Sequence, residues 1–188
     1  IDISGGTVVF DNVAQLGTEG APITFLGDAT LRAGADGMTL GSTINVAAGK
    51  TAALDTGTYA LTYQGQASAP SGTIVKAGTG TLTVTGTILG DTVDIDDGGV
   101  KIAPSGKVTA VSALNINTGG TFFLSDPSLL SLGSGATLAN KGNLFVGKAA
   151  GASQISNTIL YANYAGNGGA INLHMETDSS GYVMVSDS

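Results

Sequence analysis

The sequence predicts an all-β protein, a right-handed parallel β-helix of roughly eight coils that forms a single domain over residues 1–188. Three observations favour this fold: short runs of alternating apolar and polar residues, turn residues after nearly every run, and a recurring spacing near 20 residues. Alternation with a period of two indicates a strand with one buried face. Repetition near 20 residues is typical of a solenoid, in which each coil covers the apolar surface of its neighbour.

The alternation is clearest at residues 81–85, where the leucine and valine point to one side of the strand and the threonines to the other. Similar runs follow at residues 92–96, 113–117 and 170–175, and no helical periodicity is sustained for three turns. The inward side of these strands predicts one core column, formed by Leu82, Val84, Val93, Ile95, Leu114, Ile116, Ile171 and Leu173.

The repeat is visible when residues 93–99 (VDIDDGG) are aligned with residues 114–120 (LNINTGG), at an offset of 21. The same offset places Ile102 opposite Phe123, and residues 125–134 are predicted to form a loop inserted into one coil. Eight coils at ~4.8 Å each predict a rod on the order of 40 Å long. An antiparallel sandwich or barrel is the alternative, but Asn-Gly or Asp-Gly hairpin turns do not recur between long strands.

Composition agrees with strands and turns, because 30 glycines and 23 threonines accompany only 11% charged residues. The 42% of hydrophobic residues argues against intrinsic disorder. The chain has no cysteine, which excludes a disulfide framework but fits both the cytosol and a secreted bacterial protein. A net charge of −7 with Arg32 as the single arginine disfavours nucleic acid as a partner. Residues 1–6 are typical of neither a signal peptide nor a cap, so we expect a fragment of a longer secreted protein.

Two groups of residues are candidates for catalytic or metal sites. His174, the only histidine, has Glu176 and Asp178 nearby, but no Gly-x-Ser-x-Gly elbow supplies a nucleophile, so an ordinary strand histidine is predicted. The second group is the acidic cluster Asp94, Asp96 and Asp97.

Paired carboxylates serve glycosidases and calcium sites, but the basic residues are scattered and the calcium-binding nonapeptide pattern is missing after the cluster. The cluster is therefore interpreted as a solvated outer strand face. The sequence predicts no enzyme, no cofactor and no metal, so we expect EDTA to leave the melting temperature unchanged.

Two further patterns favour structural roles. Gly49, Lys50 and Thr51 end like a P-loop, but Ile44 stands where the motif requires its first glycine, so a turn is predicted. Several aromatic residues are interpreted either as an exposed strip for stacking sugars or, preferably, as an internal aromatic column. They are Phe122, Phe123, Phe145, Tyr161 and Tyr164.

Residues 75–86 (VKAGTGTLTVTG) resemble the autotransporter-associated β-strand repeat of type V secreted proteins, in which Lys, a small residue and Gly-x-Gly-Thr-Leu precede an alternating strand. The family's usual Tyr-Thr-Gly-Gly-Thr-Thr continuation is replaced by residues 87–91 (TILGD). Residues 166–173 (GNGGAINL) resemble the final coils of pertactin-like passengers, which lie next to the segment that leads into the membrane barrel.

This resemblance implies an autotransporter passenger that is exported across the outer membrane and displayed on the cell surface as an adhesin or structural stalk. The implied partners are host cell-surface or matrix molecules, other copies of the chain, and the passenger's own C-terminal outer-membrane barrel, which is absent from the sequence. A polysaccharide-active β-helix enzyme and a spacer for a functional domain upstream are the alternatives. The C-terminal coils, about residues 155–188, are predicted to be the most stable part and the folding nucleus.

Overall fold

The computed structural model describes residues 1–18, 20–147 and 163–174, and in these ranges the protein is all-β. Short 3₁₀ helices lie at Val13–Leu16 and Pro127–Leu129. The strands, in chain order, are β1 (Asp2–Ile3), β2 (Gly6–Phe10), β3 (Ile23–Phe25), β4 (Ala29–Ala33), β5 (Met38–Leu40), β6 (Ile44–Val46), β7 (Thr51–Asp55), β8 (Leu61–Tyr63), β9 (Gln66–Ala77), β10 (Thr81–Val84), β11 (Thr87–Ile95), β12 (Gly98–Ile102), β13 (Lys107–Ile116), β14 (Gly120–Leu124), β15 (Leu130–Leu132), β16 (Thr137–Asn140), β17 (Asn143–Gly147), β18 (Asn163–Ala165) and β19 (Ala170–His174).

Within the described ranges every strand pair is parallel and joins neighbouring coils, so the predicted parallel β-helix is confirmed and the antiparallel alternative is wrong. The strands stack on three faces. The first face holds β1, β3, β6, β15 and the N-terminal parts of β9, β11 and β13. The second face holds β2, β4, β7, β16, β18 and the C-terminal parts of the same three strands. The third face holds β5, β8, β10, β12, β14, β17 and β19.

The described residues complete about six coils, slightly fewer than the roughly eight predicted for the chain. The complete coils are the second (β3–β5), third (β6–β8), fourth (β9–β10), fifth (β11–β12), sixth (β13–β14) and seventh (β15–β17). In the first coil, the helix Val13–Leu16 replaces the strand of the third face. Asn12 and Gln15 form a capping box at its start, and the buried Leu16 packs into the core.

The core lies inside the coils and follows the predicted alternation. Among the predicted inward residues, those that prove to be buried are Leu82, Val84, Val93, Ile95, Leu114 and Ile116. The other two predicted residues belong to β19, which pairs with β17, and their side chains lie outside the described part. Burial of each such aliphatic side chain contributes about 1.5–3 kcal/mol, so the stacked column is the main stabilising feature of the fold.

The predicted offset of 21 residues is confirmed on the second face between the fifth and sixth coils, where it was identified. Val93 pairs with Leu114, and Ile95 pairs with Ile116. Inward residues of consecutive coils therefore lie directly above one another.

Between the same two coils the offset on the third face is 22, because the corner that leads into β14 holds one more residue than the corner that leads into β12. Val100 pairs with Phe122, and Lys101 pairs with Phe123. The expected pairing of Ile102 with Phe123 is therefore wrong by one position. A shift of one residue exchanges inward and outward positions, which changes the environment assigned to Phe123.

The loop predicted at residues 125–134 is partly a regular element of the coil. After the short helix Pro127–Leu129, the strand β15 pairs with β13 and continues the first face. Leu130 is buried opposite Val108, so this apolar side chain keeps the strand in the stack despite the preceding Asp-Pro sequence.

Candidate functional site on the outer faces and the buried corner

Two members of the predicted acidic cluster, Asp94 and Asp96, and the nearby Asp91 lie on the outer side of the fifth coil and are hydrogen-bonded to the sixth. Ser112 Oγ donates a hydrogen bond to Asp91 Oδ1 at 2.6 Å. Asn115 Nδ2 donates to Asp94 Oδ1 at 2.7 Å, and Asn117 Nδ2 donates to Asp96 Oδ1 at 2.7 Å. Each carboxylate therefore accepts a hydrogen bond from a side chain one coil further on. The three pairs form a ladder along the strand direction, and each bond links the two coils along their axis.

Asp94 and Asp96 share the outer face, as the sequence predicted, but they differ in exposure. Asp96 is exposed, whereas Asp94 is half-buried. Burial raises the pKa of Asp94 above its usual value, the hydrogen bond from Asn115 lowers it, and the neighbouring Asp96 raises it. Asp97 instead bonds locally, since its Oδ1 accepts from the Gly98 N–H at 2.8 Å.

Lys76 is the residue of greatest chemical interest that sequence reasoning missed. Lys76 lies in the inward column between Leu54 and Ile95 and is only 3% exposed. Its Nζ donates to the carbonyl oxygens of Ala77 at 2.9 Å, Gly78 at 2.7 Å and Asp97 at 3.0 Å. An ammonium group has three N–H donors, so all of them are satisfied by backbone of the fourth and fifth coils.

Burial lowers the pKa of Lys76 to about 8, against the opposite effect of Asp97 and Asp55. Its ammonium group links the fourth coil to the fifth at the corner between the second and third faces. The only sequence signal for this role was the lysine in the motif at residues 75–86, which carried no indication of burial.

Two glycines of the same motif make this corner possible. Gly78 adopts a φ of +78°, which is unfavourable for residues with a Cβ. Gly80 lies so close to the preceding coil that a Cβ would overlap the carbonyl group of Tyr59. The motif thus combines a buried ammonium, a left-handed residue and a close backbone approach at a single corner.

Asn140 repeats this arrangement in the seventh coil with an amide. It pairs with Ile116 on the second face and is fully buried. Its Nδ2 donates to the carbonyl oxygen of Ala170 at 3.1 Å, and its Oδ1 accepts from the Gly142 N–H at 3.1 Å. Polar side chains in the inward column therefore link neighbouring coils at this corner in two places, Lys76 and Asn140.

The aromatic residues divide between the inside and the outside. Phe122 is fully buried, as expected for an internal column, but Phe123 and Phe145 point outward and are 38% and 40% exposed. Their rings stack with centroids 5.1 Å apart and an interplanar angle of 15°. The preferred interpretation is therefore wrong for these two, because neighbouring residues on a strand face opposite sides. Tyr161 and the side chain of Tyr164 lie outside the described part.

The remaining candidates are the group around His174, the turn at Gly49 and any cluster of metal-binding residues. His174 ends β19, and Glu176 and Asp178 lie outside the described residues. The predicted turn at Gly49 to Thr51 is confirmed, with a φ of +69° at Gly49. Over residues 1–18, 20–147 and 163–174, no three His, Cys, Asp or Glu residues are grouped in a way that could hold a metal ion.

No protein-family model, curated protein or solved structure matches this chain. None of the helices in the described part has the length and apolar character needed to cross a membrane.

Proposed function

We propose that this chain is part of the surface-exposed passenger of an autotransporter, where it acts as a rigid stalk with adhesive outer faces. The observation that carries the proposal is the stack of parallel coils in the described residues, in which core columns and outer hydrogen bonds both run along one axis. Such a stack is stabilised mainly between nearest neighbours and can be extended coil by coil without a change of fold.

The motif at residues 75–86 supports the proposal in a second way. The residues that resemble the autotransporter repeat are those that build the corner around Lys76 and Gly80. The resemblance therefore involves positions with defined structural roles. Lys76 supplies the buried ammonium of this corner, Gly78 its left-handed residue and Gly80 its close backbone approach.

A polysaccharide-active enzyme is the alternative from another functional class. Asp94 and Asp96 are the outward carboxylates that such an enzyme would use, but each accepts a hydrogen bond from an asparagine of the next coil. No observation on this surface favours the enzyme over the stalk.

The test has two parts. Antibodies raised against the purified chain should label intact cells of the source bacterium, and beads coated with the chain should adhere to host cells or matrix proteins. Beads coated with an unfolded variant, Ile95→Asp with Ile116→Asp, provide the control for non-specific adsorption. Labelling only after permeabilisation would contradict surface display, and release of sugar fragments from acidic polysaccharides would favour the enzyme. Surface labelling without adhesion would favour the pure spacer.

A further inference from the structure

The outer side of the third face differs in charge from that of the second face. The chain has 14 acidic and 7 basic residues, yet the described strands of the third face contain no Asp or Glu. Lys101 is the only Lys or Arg in these strands. By contrast, the second face and its corners carry the carboxylates of the hydrogen-bonded ladder.

One outward row on the third face changes character along the axis. Strand register aligns, from the second coil to the seventh, Thr39, Thr62, Thr83, Lys101, Phe123 and Phe145. The first three positions show that threonine suits this row. The two phenylalanines therefore replace a side chain that the fold accepts elsewhere, and they place apolar surface in water.

The pair has a defined geometry. Phe123 and Phe145 stack on each other, and Cε2 of Phe123 lies 3.3 Å from the position that a Cβ on Gly99 would occupy. The glycine leaves room for the ring of Phe123 to lie over the fifth coil. Because the two rings stack face to face, the pair presents ring edges outward as a short ridge. Sugars stack on the faces of aromatic rings, so this ridge is better suited to apolar side chains.

We propose that this ridge is the centre of an interface with a second copy of the chain, in which two third faces meet around a two-fold axis. Such an interface uses the same surface on both copies. The inference deepens the proposed stalk function, on which it rests, by naming a partner: a second stalk that runs in the opposite direction. Because the chain has a net charge of −7, two copies repel each other least where they bring no carboxylates together.

The single cation of this face is compatible with a two-fold axis between the sixth and seventh coils. Lys101 lies in the fifth coil, so the axis places the two Lys101 residues about three strand spacings apart along the coils, about 14 Å. This separation exceeds the Debye length of about 8 Å at physiological ionic strength. The two ridges then meet at the axis without close repulsion between lysines.

Sedimentation equilibrium of the purified chain tests the proposal. The wild-type chain should associate reversibly into dimers over the micromolar to millimolar range. Phe123→Thr with Phe145→Thr extends the threonine row and should weaken dimerisation at least about tenfold, as removal of central interface side chains does. Leu26→Thr with Val111→Thr removes two exposed apolar side chains elsewhere and should leave dimerisation unchanged.

A second variant guards against loss of folding. Phe145→Lys introduces a side chain that the same row already carries at Lys101, and it should abolish dimers while the melting curve stays cooperative. A wild-type chain that remains monomeric, or dimers that survive both Phe variants, would overturn the proposal. A monomer that binds a glycan array through the two phenylalanines would overturn it in favour of a carbohydrate partner. These measurements need no surface display, so their failure is distinct from failure of the stalk function.

Discussion

At the scale of single residues, a buried ammonium group is costly unless each of its N–H groups finds an acceptor. Lys76 meets this condition with carbonyl oxygens from two successive coils. The acceptor from the fifth coil is available only after that coil has docked. Lys76 therefore couples the formation of the corner to the stacking of its neighbour.

The lowered pKa of Lys76 predicts a dependence of stability on pH. The folded-state pKa of about 8 lies below the ordinary value of 10.5, so the unfolded chain binds more protons at alkaline pH. The contribution of this group to the free energy of unfolding should therefore rise between pH 7 and 9.5, by about 2 kcal/mol. Urea unfolding of wild type and Lys76→Met across this range measures the effect, with Met as the control that cannot titrate. A pH dependence shared by both proteins would contradict the prediction.

Inward aliphatic residues predict a different response. Ile95→Asp or Ile116→Asp should lower the free energy of unfolding by several kcal/mol, because each places an unpaired carboxylate in the core column. Thr83→Ser and Asp94→Ser change outward positions and should have little effect. Thermal melting of the four variants checks the register, and equal tolerance at both sets would contradict it.

The aliphatic core could be predicted from the sequence, whereas the polar interior could not. Alternation identifies positions such as Val84 and Ile95, because hydrophobic side chains at every second residue report one buried face. Lys76 and Asn140 break this rule, since their burial depends on carbonyl groups supplied by the neighbouring coil. No pattern within a single strand contains that information.

At the scale of elements, the faces and the corners follow different rules. The strands need only alternate, but the corners require particular residues where backbones from two coils come close together. Gly80 is such a position, because the backbone of Tyr59 occupies the space of a Cβ. Gly41 provides the contrast, since nothing lies within 4 Å of its Cβ position.

These two glycines predict opposite effects of the same substitution. Gly80→Ala should lower the free energy of unfolding by about 1–3 kcal/mol, as overpacking does in a tight site. Gly41→Ala should leave it unchanged or raise it by up to about 1 kcal/mol, because alanine restricts the unfolded chain. Melting temperatures of the two variants decide the matter, and similar losses in both would show that the close approach at Gly80 is not limiting.

The register of the third face could not be predicted from the repeat offset, because the corners differ in length. The offset of 21 was correct up to Ile116, and one added residue in the next corner moved Phe123 to the outside. Alternation alone could not detect the shift, because Phe122 and Phe123 are both large and apolar. The exposed ridge, which is the candidate interface, therefore follows from the three-dimensional register.

At the scale of the whole molecule, stability should vary along the axis of the coils. We expect the slowest hydrogen exchange in the strands from Leu114 to Leu173 and the earliest exchange at residues 51–71. Besides Leu54, Leu61 and Tyr63, the early segment buries the small side chains of Ala52, Ala67 and Ala69, which remove less apolar surface from water. Hydrogen exchange measured by mass spectrometry on the intact chain tests this gradient. The reverse order would contradict it, and would also remove support for a folding nucleus in the C-terminal coils.

The coils differ in length, since paired residues are separated by 20 positions at Ile88 and Val108 but by 24 at Leu114 and Leu138. The stacked columns are unaffected, because the additional residues are accommodated at the corners. In evolutionary terms, insertions and deletions are tolerated at corners without a close backbone approach, whereas corners like that of Lys76 and Gly80, and the faces themselves, are constrained. A lineage of such rods can therefore diversify its surface loops rapidly, and its members can lose recognisable sequence similarity long before they lose their shared shape.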